Sequence, residues 1–62
     1  MTFETMRKKA DLTQVELAAK LGVKQNVVSN WENGKIKPKY KLIPKIAKTL
    51  NVDVSELLKC FE

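Results

Sequence analysis

Histidine is missing from this chain of 62 residues, and cysteine occurs once, as Cys60. One cysteine cannot form an intrachain disulfide. Without histidine, the usual zinc ligand sets and the Ser-His and Cys-His pairs of nucleophilic catalysis are also absent. These absences exclude most hydrolytic and metal chemistry, so we expect no enzyme, no catalytic residue, no cofactor and no bound metal.

Long apolar stretches are missing as well. The longest uninterrupted apolar run has two or three residues, far fewer than the roughly 20 that a bilayer-spanning helix needs. The start of the chain, Met1-Thr2-Phe3-Glu4, lacks the basic stretch followed by an apolar stretch that a secretory signal requires. We therefore expect a cytoplasmic protein with no membrane partner.

The length and composition favour one small folded unit. A chain this short buries only about 60% of the surface that it exposes when unfolded, so a second domain is excluded. Apolar residues make up 44% of the chain and charged residues 31%, which is typical of a globular protein. The sequence thus predicts a single domain over residues 1–62.

Acidic residues are missing from a long segment of the chain. The whole chain carries 12 Lys+Arg against 7 Asp+Glu, a net charge of +5. This charge favours an anionic partner, and general solubility is the alternative explanation. Between residues 33 and 52 there is no Asp or Glu, but there are six lysines: Lys35, Lys37, Lys39, Lys41, Lys45 and Lys48.

Strand patterns are nearly absent, because apolar residues recur at intervals of three and four rather than alternating. This periodicity predicts an all-α fold. Thr13 and Glu16 form a capping box that starts a second helix at Gln14, and Gly22 ends that helix. A third helix is predicted over residues 25–32. The first, short helix has one apolar face, formed by Phe3, Met6 and Ala10.

Two further helices are predicted after a basic loop that runs from Lys35 to Lys39. Pro44 belongs in the first turn of the fourth helix, because proline removes a hydrogen bond from a helix interior. Asp53 and Glu56 have the spacing of a second capping box, which starts the last helix. The inner stripe of the fourth helix is Ile43, Ile46, Ala47 and Leu50, and the last helix carries Leu57, Leu58 and Phe61.

The informative block is residues 14–33, in which only Val23 and Lys24 lie between the stop at Gly22 and the third helix. Ala18 is small where the two helices must approach closely, and Gly22 takes a conformation that costs other residues about 1 kcal/mol or more. A helix-turn-helix needs this pattern, and an ordinary helical hairpin is the alternative. The other turn and core positions of the motif are Leu17, Leu21, Val23, Val28, Trp31 and the terminating Gly34.

Short motifs along nearly the whole chain carry a resemblance: Leu12-Thr13-Gln14, Glu16-Leu17-Ala18, Lys20-Leu21-Gly22-Val23, Gln25, Val28-Ser29, Trp31-Glu32-Asn33-Gly34-Lys35, Pro38, Ile46-Ala47-Lys48 and Leu50-Asn51-Val52. The sequence thereby resembles the Cro and lambda-repressor-like helix-turn-helix family, also called the xenobiotic-response-element class of regulators. The resemblance implies a compact five-helix DNA-binding domain, in which helices 2 and 3 form the helix-turn-helix and the third helix enters the major groove. The sequence departs from the family pattern at Lys24, where a Ser or Thr cap is common, and at Pro44.

The residues of the third helix support this implication. When Val28 and Trp31 are turned inward, the outward face of the helix presents five polar side chains. Gln and Asn can bond bidentately to N6 and N7 of adenine, and Lys can reach O6 and N7 of guanine. Simple solvation of the same side chains is the alternative. We predict base contacts from Lys24, Gln25, Asn26, Ser29 and Asn30.

Phosphate contacts are expected beside this face, because helix N-termini present unpaired amides and a partial positive charge. The resemblance implies such contacts for Gln14 and for the stretch from Asn33 to Lys35. For the lysines among the further candidates, ordinary solvation at the surface is the alternative. The further candidates are Lys37, Lys39, Tyr40 and Lys41.

The resemblance also implies an ion pair between Arg7 and Glu32, for which two unrelated surface charges are the alternative. One recognition helix reads only about four or five base pairs, so domains of this kind normally pair across a two-fold axis. Val52, Leu58 and Phe61 are the candidates for a homodimer interface, and burial in the chain's own core is the alternative.

The resemblance, together with these residues, implies a regulator of transcription, which we expect by default to be a repressor that occupies a palindromic DNA operator as a homodimer. No small-molecule ligand is evident. The second hypothesis is a protein-interaction module, such as an antitoxin or an accessory subunit, for which a large apolar surface patch is the expected sign.

Overall fold

The computed structural model describes residues 2–61 of the chain. Within that range five α-helices follow one another and no strand occurs, so the predicted all-α, five-helix fold is confirmed. The helices are α1 (Phe3–Lys9), α2 (Gln14–Leu21), α3 (Gln25–Glu32), α4 (Ile43–Leu50) and α5 (Val54–Lys59).

The predicted capping box of α2 is present. The Thr13 hydroxyl accepts a hydrogen bond from the Glu16 backbone amide at 3.1 Å, and the Glu16 carboxylate accepts one from the Thr13 amide at 2.9 Å. The backbone hydrogen bond from Thr13 lowers the pKa of Glu16 below its ordinary value. Two otherwise unpaired amides are satisfied, which fixes the start of α2 at Gln14.

Gly22 ends α2 in the left-handed region, with a φ of 73°, as predicted. Its amide donates to the carbonyl groups of Ala18 and Ala19. The amide of Val23 donates to the Ala18 carbonyl at 3.0 Å. These bonds close the end of α2 and turn the chain directly toward α3.

Replacing Gly22 with alanine is expected to lower the free energy of unfolding by about 1 kcal/mol. A Cβ built at Gly22 meets no heavy atom within 4 Å, so the cost is conformational and not steric. Urea denaturation followed by circular dichroism measures it. Gly34→Ala is the matched control, because Gly34 has a φ of 75° and equally open surroundings. A loss several times larger at Gly22 alone would contradict this explanation.

A single 3₁₀ turn, Tyr40–Leu42, precedes α4 and was not predicted from the sequence. Pro44 lies in the first turn of α4, as predicted, where its missing amide is not needed. The α4 stripe of Ile43, Ile46, Ala47 and Leu50 is buried, as expected.

Two predictions for α5 are wrong. Asp53 precedes the helix, but its side chain makes no capping hydrogen bond, so the second capping box is absent. The Glu56 carboxylate instead lies 3.6 Å from the Lys59 ammonium. Phe61 lies beyond the end of α5, because the amides of Cys60 and Phe61 bond three residues back and tighten the last turn.

The core lies where all five helices converge. α2 packs mainly against α3, and α4 packs against α5 and α2. Phe3 of α1 meets Trp31 edge to face, with ring centroids 5.9 Å apart. The buried apolar side chains are Phe3, Met6, Leu17, Ala18, Leu21, Val28, Trp31, Ile43, Ile46, Ala47, Leu50 and Leu57, and the partly buried Val23 packs against them.

Candidate nucleic-acid interface

Helix α3 has one buried and one outward face. Val28 and Trp31 are 0% and 3% exposed and anchor the helix to the core. Because these two side chains lie one turn apart, the other face is left outside. That outer face carries four of the predicted base-contacting residues, the exposed Gln25 and Asn26 and the half-buried Ser29 and Asn30. The fifth, Lys24, is exposed and precedes the helix at its N-cap.

The N-terminus of α3 is not capped by a side chain. Lys24 occupies the capping position in an extended conformation and makes no capping hydrogen bond. The departure noted at Lys24 therefore leaves amides of the first turn available to an acceptor outside the chain. Lys24 itself is exposed, so its ammonium group is available to the same acceptor.

Gln14, at the start of α2, lies beside α3. Its side-chain Nε2 donates to Oε1 of Glu32 at 3.0 Å, and its Oε1 accepts from Nε2 of Gln25 at 3.5 Å. The structure thus joins a predicted phosphate contact to a predicted base contact. Sequence reasoning missed both bonds, because they join residues 18 and 11 positions apart.

Arg7 and Glu32 form the ion pair that the resemblance implies. The Arg7 Nε lies 2.6 Å from Oε2 of Glu32, and the two side chains are only 9% and 6% exposed. Nη1 of Arg7 also donates to the Leu12 carbonyl at 2.8 Å. The pair therefore joins α1, the α1–α2 connection and the last residue of α3, so two unrelated surface charges are excluded.

The segment after α3 folds back onto that helix. The amides of Lys35 and Ile36 donate to the Asn30 carbonyl at 3.0 and 3.3 Å. Asn33 is exposed, and its side-chain amide donates to the Ser29 hydroxyl at 3.4 Å. Gly34 has a φ of 75°, as predicted for a helix stop. Asn33 and Lys35 therefore lie at the end of the outer face of α3, next to the row of polar side chains predicted to contact bases, which we call the polar row.

The six lysines between residues 33 and 52 are exposed to solvent. Within residues 2–61, none of them forms an ion pair with a carboxylate. Their charges therefore remain available to an anion, which agrees with the predicted phosphate contacts without testing them. The exposed lysines of this segment are Lys35, Lys37, Lys39, Lys41, Lys45 and Lys48.

Tyr40 has surroundings that the sequence did not indicate. Its side chain is 86% exposed and borders a shallow cavity that Leu58 and Phe61 also line. Val52, the third interface candidate, lines a different cavity beside Met6 and Ala10. The three interface candidates thus do not share one cavity, and Tyr40 adjoins two of them.

No helix in the described part of the chain is long and apolar enough to cross a membrane. The same residues contain no group of three or more His, Cys, Asp or Glu side chains placed to hold a metal ion.

Comparison with known proteins gives a consistent result. A family model described as helix-turn-helix (HTH_3) matches residues 3–57. Two proteins of Archaeoglobus fulgidus, each described as an uncharacterized HTH-type transcriptional regulator, are 37% and 39% identical to the chain over 51 residues. Those residues are 82% of this chain and 72% and 73% of the two relatives. No solved structure shows a significant match. With the five helices of residues 2–61 and the buried Arg7–Glu32 pair, the chain belongs to the Cro-type, xenobiotic-response-element helix-turn-helix family of DNA-binding transcriptional regulators.

Proposed function

We propose that the protein is a repressor that binds a palindromic DNA operator as a homodimer and performs no chemistry. The observation that carries the proposal is the outward polar row of α3, held in place by the buried Val28 and Trp31. An α-helix fits the major groove of B-DNA, and amide and ammonium groups match the base edges there. Occupying the operator excludes polymerase from it.

The charged surroundings of the row supply affinity without sequence preference. Lysines that neutralise phosphates release counterions, so the affinity for any duplex falls as the salt concentration rises. In this proposal the α3 row reads bases. The phosphate contacts come from Gln14, Asn33, Lys35, Lys37, Lys39 and Lys41.

The homodimer surface proposed here is centred on Leu58 and Phe61. Leu58 is 40% exposed and Tyr40 is 86% exposed, although both are large side chains with apolar surface. Together with Phe61 they border one cavity, so a second copy of the chain would cover all three. We assign Tyr40 to this surface rather than to a phosphate, and we leave Val52 outside it because Val52 lines another cavity.

Selection of bound sites from random duplex DNA by the pure protein tests the function. The expected result is an enriched motif with two-fold symmetry and half-sites about one helical turn apart. A motif without symmetry would contradict the homodimer. No enrichment of any motif would overturn sequence-specific binding and favour the protein-interaction module instead.

Asn30→Ala and Lys35→Ala are expected to have different effects on DNA binding. Asn30→Ala should flatten the sequence preference at one position, because it removes a base contact worth about 1–3 kcal/mol. Lys35→Ala should weaken binding to all sequences alike and reduce the slope of log affinity against log salt by about one. Affinities of both variants for the selected site and for random DNA, at several salt concentrations, distinguish the two roles. Equal losses on both DNAs for both variants would refute this division.

A further inference from the structure

A cavity of about 330 Å³ lies between α3 and the segment that leads to α4. Its lining comes from the α2–α3 turn, from α3, from the segment after α3 and from the 3₁₀ turn, so local sequence patterns gave no sign of it. A mainly apolar lining and a volume of about 300–1,000 Å³ are typical of sites for small molecules. The apolar lining residues are Val23, Val27, Trp31, Ile36 and Leu42.

Backbone hydrogen bonds hold two walls of this cavity in place. The Ile36 amide donates to the Asn30 carbonyl at 3.3 Å, which attaches the segment after α3 to that helix. The Leu42 amide donates to the Lys39 carbonyl at 2.9 Å and closes the turn before α4. The cavity is therefore already formed in the free protein, which lowers the ordering cost of binding.

The cavity exposes apolar surface to water. Ile36 is 50% exposed, although isoleucine is among the residues most often buried. Val23, Val27 and Leu42 are half-buried, and only Trp31, at 3% exposure, is covered. An apolar group in the cavity would be stabilised, because removal of apolar surface from water is favourable.

The charged groups at the cavity are all positive. Lys37 and Lys39 complete its lining, and both are exposed. Within residues 2–61, neither lysine pairs with a carboxylate, and no acidic side chain of that range lines the cavity. An occupant with an apolar body and one anionic end therefore complements both the lining and the charge.

We infer that this cavity binds a small apolar carboxylate, which acts as an inducer by occupying the ammonium groups of Lys37 and Lys39. The inducer role rests on the proposed function, in which the same two lysines contact DNA phosphates. An ammonium group that is paired with the ligand no longer neutralises a phosphate, so the bound ligand lowers the affinity for any duplex. The site itself does not depend on DNA binding.

Octanoate is the probe for the site, and Trp31 is the reporter, because it lines the cavity and is the chain's one tryptophan. Titration of the DNA-free protein with octanoate should give a saturable change in fluorescence. Hexanoate should bind about tenfold more weakly, because it buries two fewer methylene groups. Acetate at the same ionic strength should have no effect. Equal affinities for hexanoate and octanoate would show that charge alone is recognised and would overturn the site.

NMR locates the bound octanoate. The methyl signals of Val23, Val27 and Leu42 should shift on titration, and those of Leu58 should not. Shifts confined to Leu58 and Phe61 would place octanoate in the cavity beside Tyr40, which shares only Lys37 with this one, and would overturn the assignment. Shifts of the first three residues with protein concentration alone would show that a second copy covers the cavity, which also overturns it.

The double variant Lys37→Gln with Lys39→Gln tests the role of the charges. Its affinity for octanoate should fall by about fivefold, because two exposed charge contacts are lost. The uncharged 1-octanol should bind the parent and this variant equally. Lys45→Gln with Lys48→Gln is the matched control, since these exposed lysines line a different cavity, and it should bind octanoate like the parent. Equal losses in the two double variants would indicate general attraction of anions and would refute the site.

DNA binding tests the inducer role. At saturating octanoate, with ionic strength matched by acetate, affinity for the operator and for random duplex should fall by about tenfold, and the slope against log salt should fall by about two. Octanol should change neither value. Octanoate that binds in the cavity without changing DNA affinity overturns the inducer role. If octanoate does not bind and operator binding persists, the inference fails and the proposed function stands. If octanoate binds and no operator is selected, the proposed function and the inducer role fail, while the carboxylate site stands.

Discussion

Replacing Arg7 with alanine is expected to lower the free energy of unfolding by about 3–5 kcal/mol. The arginine is buried against Glu32, and its removal would leave the carboxylate without its charge partner at 6% exposure. It would also remove the bond from Nη1 to the Leu12 carbonyl. A chain of 62 residues has a total stability of about 3–9 kcal/mol, so the loss removes about a third of it or more. Chemical denaturation followed by circular dichroism measures the loss.

Lys8→Ala is the matched control for Arg7→Ala. Lys8 lies next to Arg7 on α1 and pairs with Glu4 at 2.9 Å, but the two side chains are 66% and 51% exposed. Exposed pairs contribute little because solvent screens them and both side chains lose freedom. The control should therefore unfold almost like the parent. A loss for Arg7→Ala as small as that of the control would show that water reaches Glu32 and that the pair is not structural.

Local sequence patterns predicted the helix boundaries well, but they did not predict every contact at those boundaries. Thr13 and Glu16 have the spacing of a capping box and form one. Asp53 and Glu56 have the same spacing and do not, and Glu56 lies near Lys59 instead. Spacing gives the opportunity for such a bond, whereas the competing partners of each side chain decide whether it forms.

The residues of the candidate site were named from the sequence one by one, but the hydrogen bonds that join them were not predicted. The periodicity of Val28 and Trp31 was enough to identify the outward face of α3. The contacts of Gln14 with Glu32 and Gln25 depend on how α2 crosses α3, which no local pattern specifies. The only signal of these contacts in the sequence is that a glutamine begins each of the two helices, Gln14 in α2 and Gln25 in α3.

The positions of the interface candidates in the fold could not be predicted from local sequence either. Val52 and Leu58 are both apolar and lie six positions apart in the sequence. Val52 is half-buried and Leu58 is exposed. Asn51 takes a left-handed conformation, with a φ of 57°, and reverses the chain just before Val52. Val52 therefore joins Met6 and Ala10, while Leu58 lies with Tyr40. The apolar character of both side chains predicted that they would pack against other residues, but the turn at Asn51 determines which residues those are.

Trp31→Ala is expected to lower the free energy of unfolding by about 3–5 kcal/mol, the usual range for deleting a buried aromatic side chain. Trp31 is 3% exposed, and its ring meets Phe3 edge to face at 5.9 Å. Because Phe3 also packs against Phe61 at 5.5 Å, the cavity would loosen contacts at both ends of the chain. Circular dichroism is the suitable probe, since Trp31 is the chain's one tryptophan and its fluorescence is lost in the variant.

Two further variants separate packing from other effects of removing Trp31. Trp31→Phe keeps an aromatic edge for Phe3 and should lose clearly less stability than Trp31→Ala. Tyr40→Ala removes an aromatic side chain that is 86% exposed, and its unfolding free energy should stay within about 0.5 kcal/mol of the parent at concentrations where the chain is monomeric. The operator affinities of the two Trp31 variants should follow the same order as their stabilities, because Trp31 holds the inner face of α3 while the polar side chains face outward. An Ala variant at position 31 that unfolds like the parent would show that α3 is held in place by contacts other than this ring, and the outward direction of the row would then need another explanation.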